Sequence, residues 1–457
     1  MNVTNLNPDT DIGASAWMIA MEDHRILLDA GMHPKREGRD GLPLFAKAQG
    51  EVDAIAISHC HHDHVGALPV AVRQFPKAHI LMTELSYLLV ERVLHNSVNV
   101  MTRQRDELGI REYPLYSHDE VDEIAPYFQG FKCNREVEWG SFKKGRAGIA
   151  SPTLEFFEAG HTLGSAGILL RGRNETLFYT GDVCFHDQTL LKSARFEDVR
   201  ADVLIMETTR GNRETPPGFN RESEVARLVD AILHAQALKS CILIPSFALG
   251  RTQEILALLA LLMKDGRLKR QPVYIGGLGR VFTEIYDIEA HRTHRQHTGL
   301  QLNEALQLNV LEKGMAESMK LSGGKIFVIT AGMMSENTAA HDLAARMIED
   351  PRQNIFFVGY ADPDSPAGRL RAARENETFV FSPSAGRLTR KCNILDFDLT
   401  AHASRETLLE LVSQVAPRSV LLGHGDEPAR AWFEEKIRER WPKIKILQPQ
   451  PGKMVSA

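Results

Sequence analysis

The densest chemistry in the chain is the run His59-Cys60-His61-His62-Asp63-His64, where imidazoles and a carboxylate crowd six consecutive positions directly after the apolar segment Ala54 to Ser58. Neutral imidazole and carboxylate oxygen suit zinc and its first-row neighbours, and the tight spacing lets one loop face two adjacent ions. A metal pair so held activates water for hydrolysis. Two further donors stand in similar places: His161 in Gly160-His161-Thr162-Leu163-Gly164-Ser165, and Asp182 in Tyr179-Thr180-Gly181-Asp182. Taken singly, each reads as a loop residue or a cap; beside the first cluster, each reads as a further ligand. Cys60 and His62 occupy intervening positions, where alternating side-chain direction turns them away from the metals.

These residues need a scaffold that delivers them to one edge. Short apolar runs alternate with longer helical patterns, the signature of a layered α/β fold. Several of the runs end directly on a polar residue, so that Asp29, His59, Asp182 and Glu207 all fall at strand ends, where functional side chains collect in open sheets. From about Arg210 the texture shifts through a Pro- and Gly-bearing loop into a second α/β segment, with helices expected at Thr252 to Lys264 and Ser335 to Glu349, ending near Arg374. A third segment adds an expected strand at Asn393 to Asp396, another at Ser419 to Leu422 and a helix at Arg405 to Gln414.

Composition bounds the rest. The 457 residues exceed the usual size of one hydrophobic core. With 43% hydrophobic and 25% charged residues, the chain has the make-up of a soluble globular protein. No apolar run approaches a membrane span, and Met1 to Ser15 is polar, unlike a secretory signal, so a cytoplasmic protein is expected. Five cysteines form no CxxC pair or plausible disulfide framework. The net charge of -5 excludes a protein coated in basic surface, and no GxxxxGK[ST] loop is present for an ATP-driven motor. The basic stretch from Arg369 to Lys391 reads equally as a solvated face or a phosphate-binding wall.

In order along the chain, Asp29, the His59 to His64 cluster, His161, Asp182 and His402 resemble the five motifs of the metallo-β-lactamase superfamily. The resemblance implies an αββα sandwich whose two parts are residues 1–208 and 375–457. The middle, 209–374, is similar to the inserted α/β cap of the β-CASP group, the nucleic-acid-cleaving branch. Leu204 to Thr209 looks like that group's acidic motif, with Glu207. Ile244-Pro245-Ser246-Phe247-Ala248-Leu249-Gly250-Arg251 looks like its helix-start phrase, and Thr400-Ala401-His402-Ala403 like its last ligand motif.

Carried over residue by residue, the resemblance implies two zinc ions. His59, His61 and His161 would hold one, Asp63, His64 and His402 the other, and Asp182 would bridge them. Asp29 would orient a ligating imidazole through its second ring nitrogen, with His424 near the pocket but no ligand. Asp63, Asp182 and Glu207 are the expected catalytic residues, acting through a hydroxide activated by both ions. Ser246, Arg251, Gly332, Met333, Ser335 and Arg369 are the expected substrate-binding residues. Arg369 falls where many family nucleases carry a histidine, which would leave protonation of the leaving group to water or Glu207.

The implied activity is zinc-dependent hydrolysis of phosphodiesters in single-stranded RNA, with DNA as the alternative substrate, no membrane partner and room for a homodimer. Two other readings stand beside it: an RNA-binding relative with little or no catalysis, in which Arg369 makes the cap a clamp, and a hydrolase of a small ester or lactone. His291, His294 and His297 are read as a basic exposed helix or an RNA-facing wall rather than a metal site, because Arg292 and Arg295 stand among them.

Overall fold

The computed structural model describes residues 1–139, 151–292, 295–312 and 314–457. Two seven-stranded sheets carry the first of two compact units, which comprises Met1–His186, Ser193–Thr215 and His402–Ala457. In spatial order, one sheet runs Met454–Ser456, Asn2–Asn5, Trp17–Met21, His24–Leu28, Ala54–Ala56, His79–Thr83 and Phe128–Phe131. The other runs Lys445–Leu447, Ser419–Gly423, Val203–Glu207, Thr176–Tyr179, Ala166–Arg171, Thr153–Glu158 and Glu136–Glu138.

The period-2 geometry of strands sorts their side chains between two cores. In the second sheet Ile168, Leu170, Leu177, Tyr179, Val203 and Ile205 face Val3, Ile19, Ile26, Leu28 and Leu81 of the first sheet. Their alternate neighbours Leu169, Phe178, Leu204 and Met206 pack outward on Leu408, Leu411, Val412, Phe433 and Ile437, which lie on the helices Arg405–Val415 and Glu427–Arg440. Burial on both faces explains why these strands are almost wholly apolar. The 25-residue helix Glu84–Leu108, capped by the Thr83 side chain and ended by Gly109 in the left-handed conformation, lies over the first sheet.

The second unit comprises Asp187–Lys192 and Pro216–Ala401. Its parallel six-stranded sheet has the order Asn309–Val310, Val273–Gly276, Ile326–Thr330, Ile242–Ser246, Asn354–Phe357 and Asn393–Asp396. Asn393–Asp396 thus pairs with a strand of this sheet, Asn354 opposite Asn393, so residues from 375 to 401 fall in the second unit rather than beyond a boundary at 374. The helix expected from Ser335 begins only at Ala339, where Thr338 caps it. No helix among the described residues is long and apolar enough to cross a membrane, and none of the five cysteines forms a disulfide. His294 lies outside the described residues; His291 and His297 lie in turns and bends after the helix Leu278–Ile288, outside any helix, and Arg295 is buried with its guanidinium on the Tyr286 carbonyl.

Candidate metal centre

Backbone hydrogen bonds hold the His59 to His64 loop from beneath. The amides of Ala30, Met32 and Ser15 donate to the carbonyls of His64, His62 and Asp63. This close approach needs glycine at position 31, because a Cβ there would lie 1.7 Å from the Asp63 carbonyl oxygen. Gly31→Ala is therefore expected to destabilise the protein by about 3 kcal/mol in thermal or urea unfolding, and to cost roughly 10²-fold in catalysis by shifting the loop. Wild-type stability in this variant would show that the loop rests elsewhere.

Two of the imidazoles are aimed by a partner on the nitrogen that faces away from the centre. Asp29, fully buried in the left-handed conformation that Asp tolerates, accepts from the Ser58 amide, the Ser58 hydroxyl, the Tyr179 hydroxyl and His64 Nδ1, each at 2.7 Å. The Ser58 hydroxyl in turn lies 3.1 Å from His59 Nδ1. With Nδ1 of both rings so engaged, the Nε2 lone pairs of His59 and His64 point into the centre, the arrangement typical of ligating histidines. Burial pushes the Tyr179 hydroxyl well above its ordinary pKa, as does the adjacent Asp29 carboxylate, so it remains a donor.

Two ligand sets result, His59, His61, His161 and Asp182 in the first and Asp63, His64 and His424 in the second, each residue bringing one ligand atom within 4.8 Å of the others; Asp182 forms a third such group with Glu207 and His402. The three rings of the first set stand nearly perpendicular to one another, with interplanar angles of 76°, 80° and 88°. His61 Nδ1 and His161 Nε2 are 3.1 Å apart, close to the ~3.3 Å between two nitrogens on one tetrahedral zinc. Asp182 presents one oxygen to each set. Its Oδ2 is 3.7 Å from His59 Nε2 and 3.6 Å from His161 Nε2, and its Oδ1 is 3.3 Å from His64 Nε2 and from His424 Nδ1.

The polar atoms at this junction are not satisfied by one another. His59 Nε2 and Asp182 Oδ1 are buried without a hydrogen bond, since the 3.3 Å contacts of Oδ1 lack hydrogen-bond geometry. Burial, reinforced by the neighbouring His64, holds His59 well below its ordinary pKa and therefore neutral. Burial opposes charge on His64 too, but Asp182, Asp29 and Asp63 outweigh it and hold its pKa well above the ordinary value. Asp63 and Asp182 are likewise driven below the carboxylate range, against burial, by the rings of His64 and His424. Ionised carboxylates, the neutral imidazole of His59 and buried ligand atoms left without partners fit divalent cations, which would take the place of the protons that His64 and His424 now share with the carboxylates.

The position of His424 corrects the sequence reading, which left it outside the ligands and put His402 with Asp63 and His64. His424 Nε2 lies 3.1 Å from Asp63 Oδ2 and 3.2 Å from His64 Nε2. Strand register is the reason: Ser419–Gly423 pairs in parallel with Val203–Glu207, Gly423 opposite Glu207, which puts His424 one step past the edge where the other donors emerge. His402 instead has Nδ1 3.1 Å from Glu207 Oε2. Glu207 is 1% exposed and is fixed by the Val183 amide on its Oε1 at 2.7 Å. Although burial opposes charge on His402, Glu207 raises its pKa above the ordinary value.

Arg369, expected in place of a histidine, donates through Nε and Nη2 to the Phe381 carbonyl and through Nη1 to that of Asp364. Arg251 is buried and donates to the Leu399 carbonyl and to Gln188 Oε1. Both guanidinium groups bind partners within the second unit. Ser246 is 1% exposed with its hydroxyl on the Ile244 carbonyl. Met333 takes the Asp362 amide on its sulfur and the Ala367 amide on its carbonyl, while Ser335 stays exposed. Gly332 leaves only 3.4 Å between a Cβ and the Ser246 backbone. Cys60 and His62 point away from the centre, as expected, toward the Ser86 carbonyl and the Ser97 hydroxyl.

Three family models match the chain in succession: the metallo-beta-lactamase superfamily over residues 9–232, the Beta-Casp domain over 252–370 and the Zn-dependent metallo-hydrolase RNA specificity domain over 387–447. Among curated relatives, the probable RNase MJ4 of Methanocaldococcus jannaschii is 28% identical, with 91% of each chain covered. RNase aCSPSF2 of Saccharolobus solfataricus is 26% identical over 98% of this chain and 83% of its own. A protein of unknown function from Enterococcus faecalis V583 shares the fold at a TM-score of 0.60 and 15% identity, covering 99% of both chains. The chain belongs to the metallo-β-lactamase superfamily, whose members bind divalent metal, and within it to the β-CASP group.

Proposed function

We propose that the chain is a ribonuclease that hydrolyses phosphodiester bonds of single-stranded RNA with two zinc ions. The observation that carries this reading is the pair of ligand sets joined by the two oxygens of Asp182, with the Glu207 and His402 pair beside them. His59, His61 and His161 would hold one ion, Asp63, His64 and His424 the other, and Asp182 both. Asp29 orients His64 directly and His59 through Ser58. Bound there, divalent ions lower the pKa of a water toward neutrality and draw negative charge from a phosphoryl oxygen. The chain's own residues do the rest. His402, with Glu207 holding its Nδ1, presents Nε2 as the proton donor to the departing oxygen, a role that contributes roughly 10²- to 10⁴-fold.

RNA as substrate is supported by the RNA specificity model over residues 387–447 and by relatives that are named ribonucleases. The domain reading that goes with it takes the first unit as the metal-binding sandwich and the second as the β-CASP cap. The alternative of an RNA clamp without catalysis rested on Arg369 replacing a histidine, and His402 beside Glu207 removes that ground. A small ester or lactone has no feature of the site in its favour.

Metal removal tests the reading directly. Dialysis against a strong chelator is expected to lower cleavage of a 5′-labelled single-stranded RNA by about 10³-fold or more, with recovery on adding back zinc. It should also lower the unfolding midpoint, because ions bound at roughly 1,000 times their dissociation constant stabilise by about 4 kcal/mol. Undiminished cleavage in rigorously metal-free protein would refute the reading.

A further inference from the structure

A small polar recess opens beside His424, bounded among others by Asn5, Thr10, Ser15 and Arg430. Arg430 lies on the helix Glu427–Arg440 and is only 8% exposed. Its guanidinium makes no hydrogen bond and no ion pair among the described residues, and its Nε is buried without a partner. Arg221, Arg295 and Arg390 also bury an unpaired nitrogen, yet each places another nitrogen of the same group on an oxygen, of Glu254, Tyr286 and Ala373 respectively. A buried guanidinium nitrogen without an acceptor is costly unless an anion completes it.

The neighbouring carboxylates do not supply that anion. Glu427, Asp11 and Asp426 act on Arg430 only at longer range, and Asp11, which also borders the recess, has its carboxylate 3.3 Å from His33 Nε2. Beside Trp17, Leu422, Gly423 and His424, the rest of the wall brings the amides of Asn5 and Asn7 and the hydroxyls of Thr10 and Ser15 together with one guanidinium, donors suited to phosphate oxygen. The recess holds about 10 Å³, room for a single oxygen atom and far too little for a base or ribose.

We propose that this recess is a phosphate subsite, in which Arg430 receives a non-bridging oxygen of the RNA strand next to the bond cleaved at the metal centre. The proposal rests on the ribonuclease reading. It makes the contact one of backbone and charge, indifferent to base sequence.

The test measures kcat and KM of the zinc-loaded protein on single-stranded RNA at several salt concentrations, for the wild type, Arg430→Gln, Arg430→Lys and Thr10→Glu. Arg430→Gln is expected to raise KM by roughly 10- to 100-fold and to reduce the slope of log affinity against log salt by about 0.7, the share of one phosphate contact on a single strand. Arg430→Lys, which keeps the charge without the fork, should lie between. Thr10→Glu, at a partly exposed position on the recess, sets a carboxylate against the incoming anion and should raise KM whether or not the arginine variants fold. Wild-type KM and salt slope in Arg430→Gln and Thr10→Glu would overturn the subsite, as would a loss of kcat and unfolding midpoint with the slope unchanged. Failure of the wild type itself to cleave RNA would sink the ribonuclease reading and this one with it.

Discussion

Asp182→Asn is expected to lower RNA cleavage by about 10⁴-fold or more, the scale on which removing a central member of a catalytic unit acts. The substitution keeps the size of the side chain and removes its charge. The two oxygens of Asp182 face both ligand sets, within 3.3 Å of His64 and His424 on one side and 3.6 to 3.7 Å of His161 and His59 on the other. An amide offers an acceptor to one set and a donor to the other, and a donor cannot ligate a cation. Bound zinc, counted by elemental analysis after gel filtration, should fall below two per chain in the same preparation. Cleavage within tenfold of the wild type, with two zinc ions retained, would mean that Asp182 is not shared.

The second large effect is expected at His402. Removing its ring in His402→Ala should cost roughly 10²- to 10⁴-fold on RNA, whose departing ribose oxygen needs a proton. The loss should be much smaller on a p-nitrophenyl phosphodiester, because that phenolate leaves unprotonated. Glu207→Gln should follow the same pattern more weakly, since it keeps the ring but loses the carboxylate 3.1 Å from Nδ1. If His402 were a ligand of the second ion, as its motif first suggested, both substrates would suffer alike and zinc would be lost. Arg369→His should bring no gain, because the guanidinium is held by the carbonyls of Phe381 and Asp364.

What the sequence made legible follows a physical rule. Ala54 to Ser58, Leu177 to Thr180 and Val203 to Met206 announced themselves as apolar runs ending on polar residues, and in parallel sheets such ends share one edge. His59, His61, Asp63, His64, His161 and Asp182 could thus be grouped without knowing which strands were neighbours. The roles of His402 and His424 could not, because they depend on register. Val420-Leu421-Leu422-Gly423-His424 carries the same signal as the run before His59, an apolar strand followed by histidine, and that signal was available. Only the pairing of Gly423 with Glu207 decides that His424 reaches Asp63 while His402 reaches Glu207.

The partners of the cations were not legible for a related reason. Arg251 and Arg369 were taken as phosphate contacts from charge and motif wording, whereas their partners are carbonyls at Leu399 and Phe381, groups with no sequence signature. Arg430 drew no notice in the sequence, where it is one charge on a mixed helix, and stands out only because folding buries it without a partner. The boundary drawn at residue 374 missed that Asn393–Asp396 completes the six-stranded sheet of the second unit, a matter of which edge a short strand joins.

Two ions held by two particular sets of residues are what the proposed chemistry depends on most. Anomalous diffraction at the zinc edge from crystals of the zinc-loaded protein addresses this most directly. Two peaks are predicted, one among His59, His61 and His161, the other among Asp63, His64 and His424, with Asp182 touching both. A single peak, or a second peak bound by His402 with His424 turned away, would contradict it.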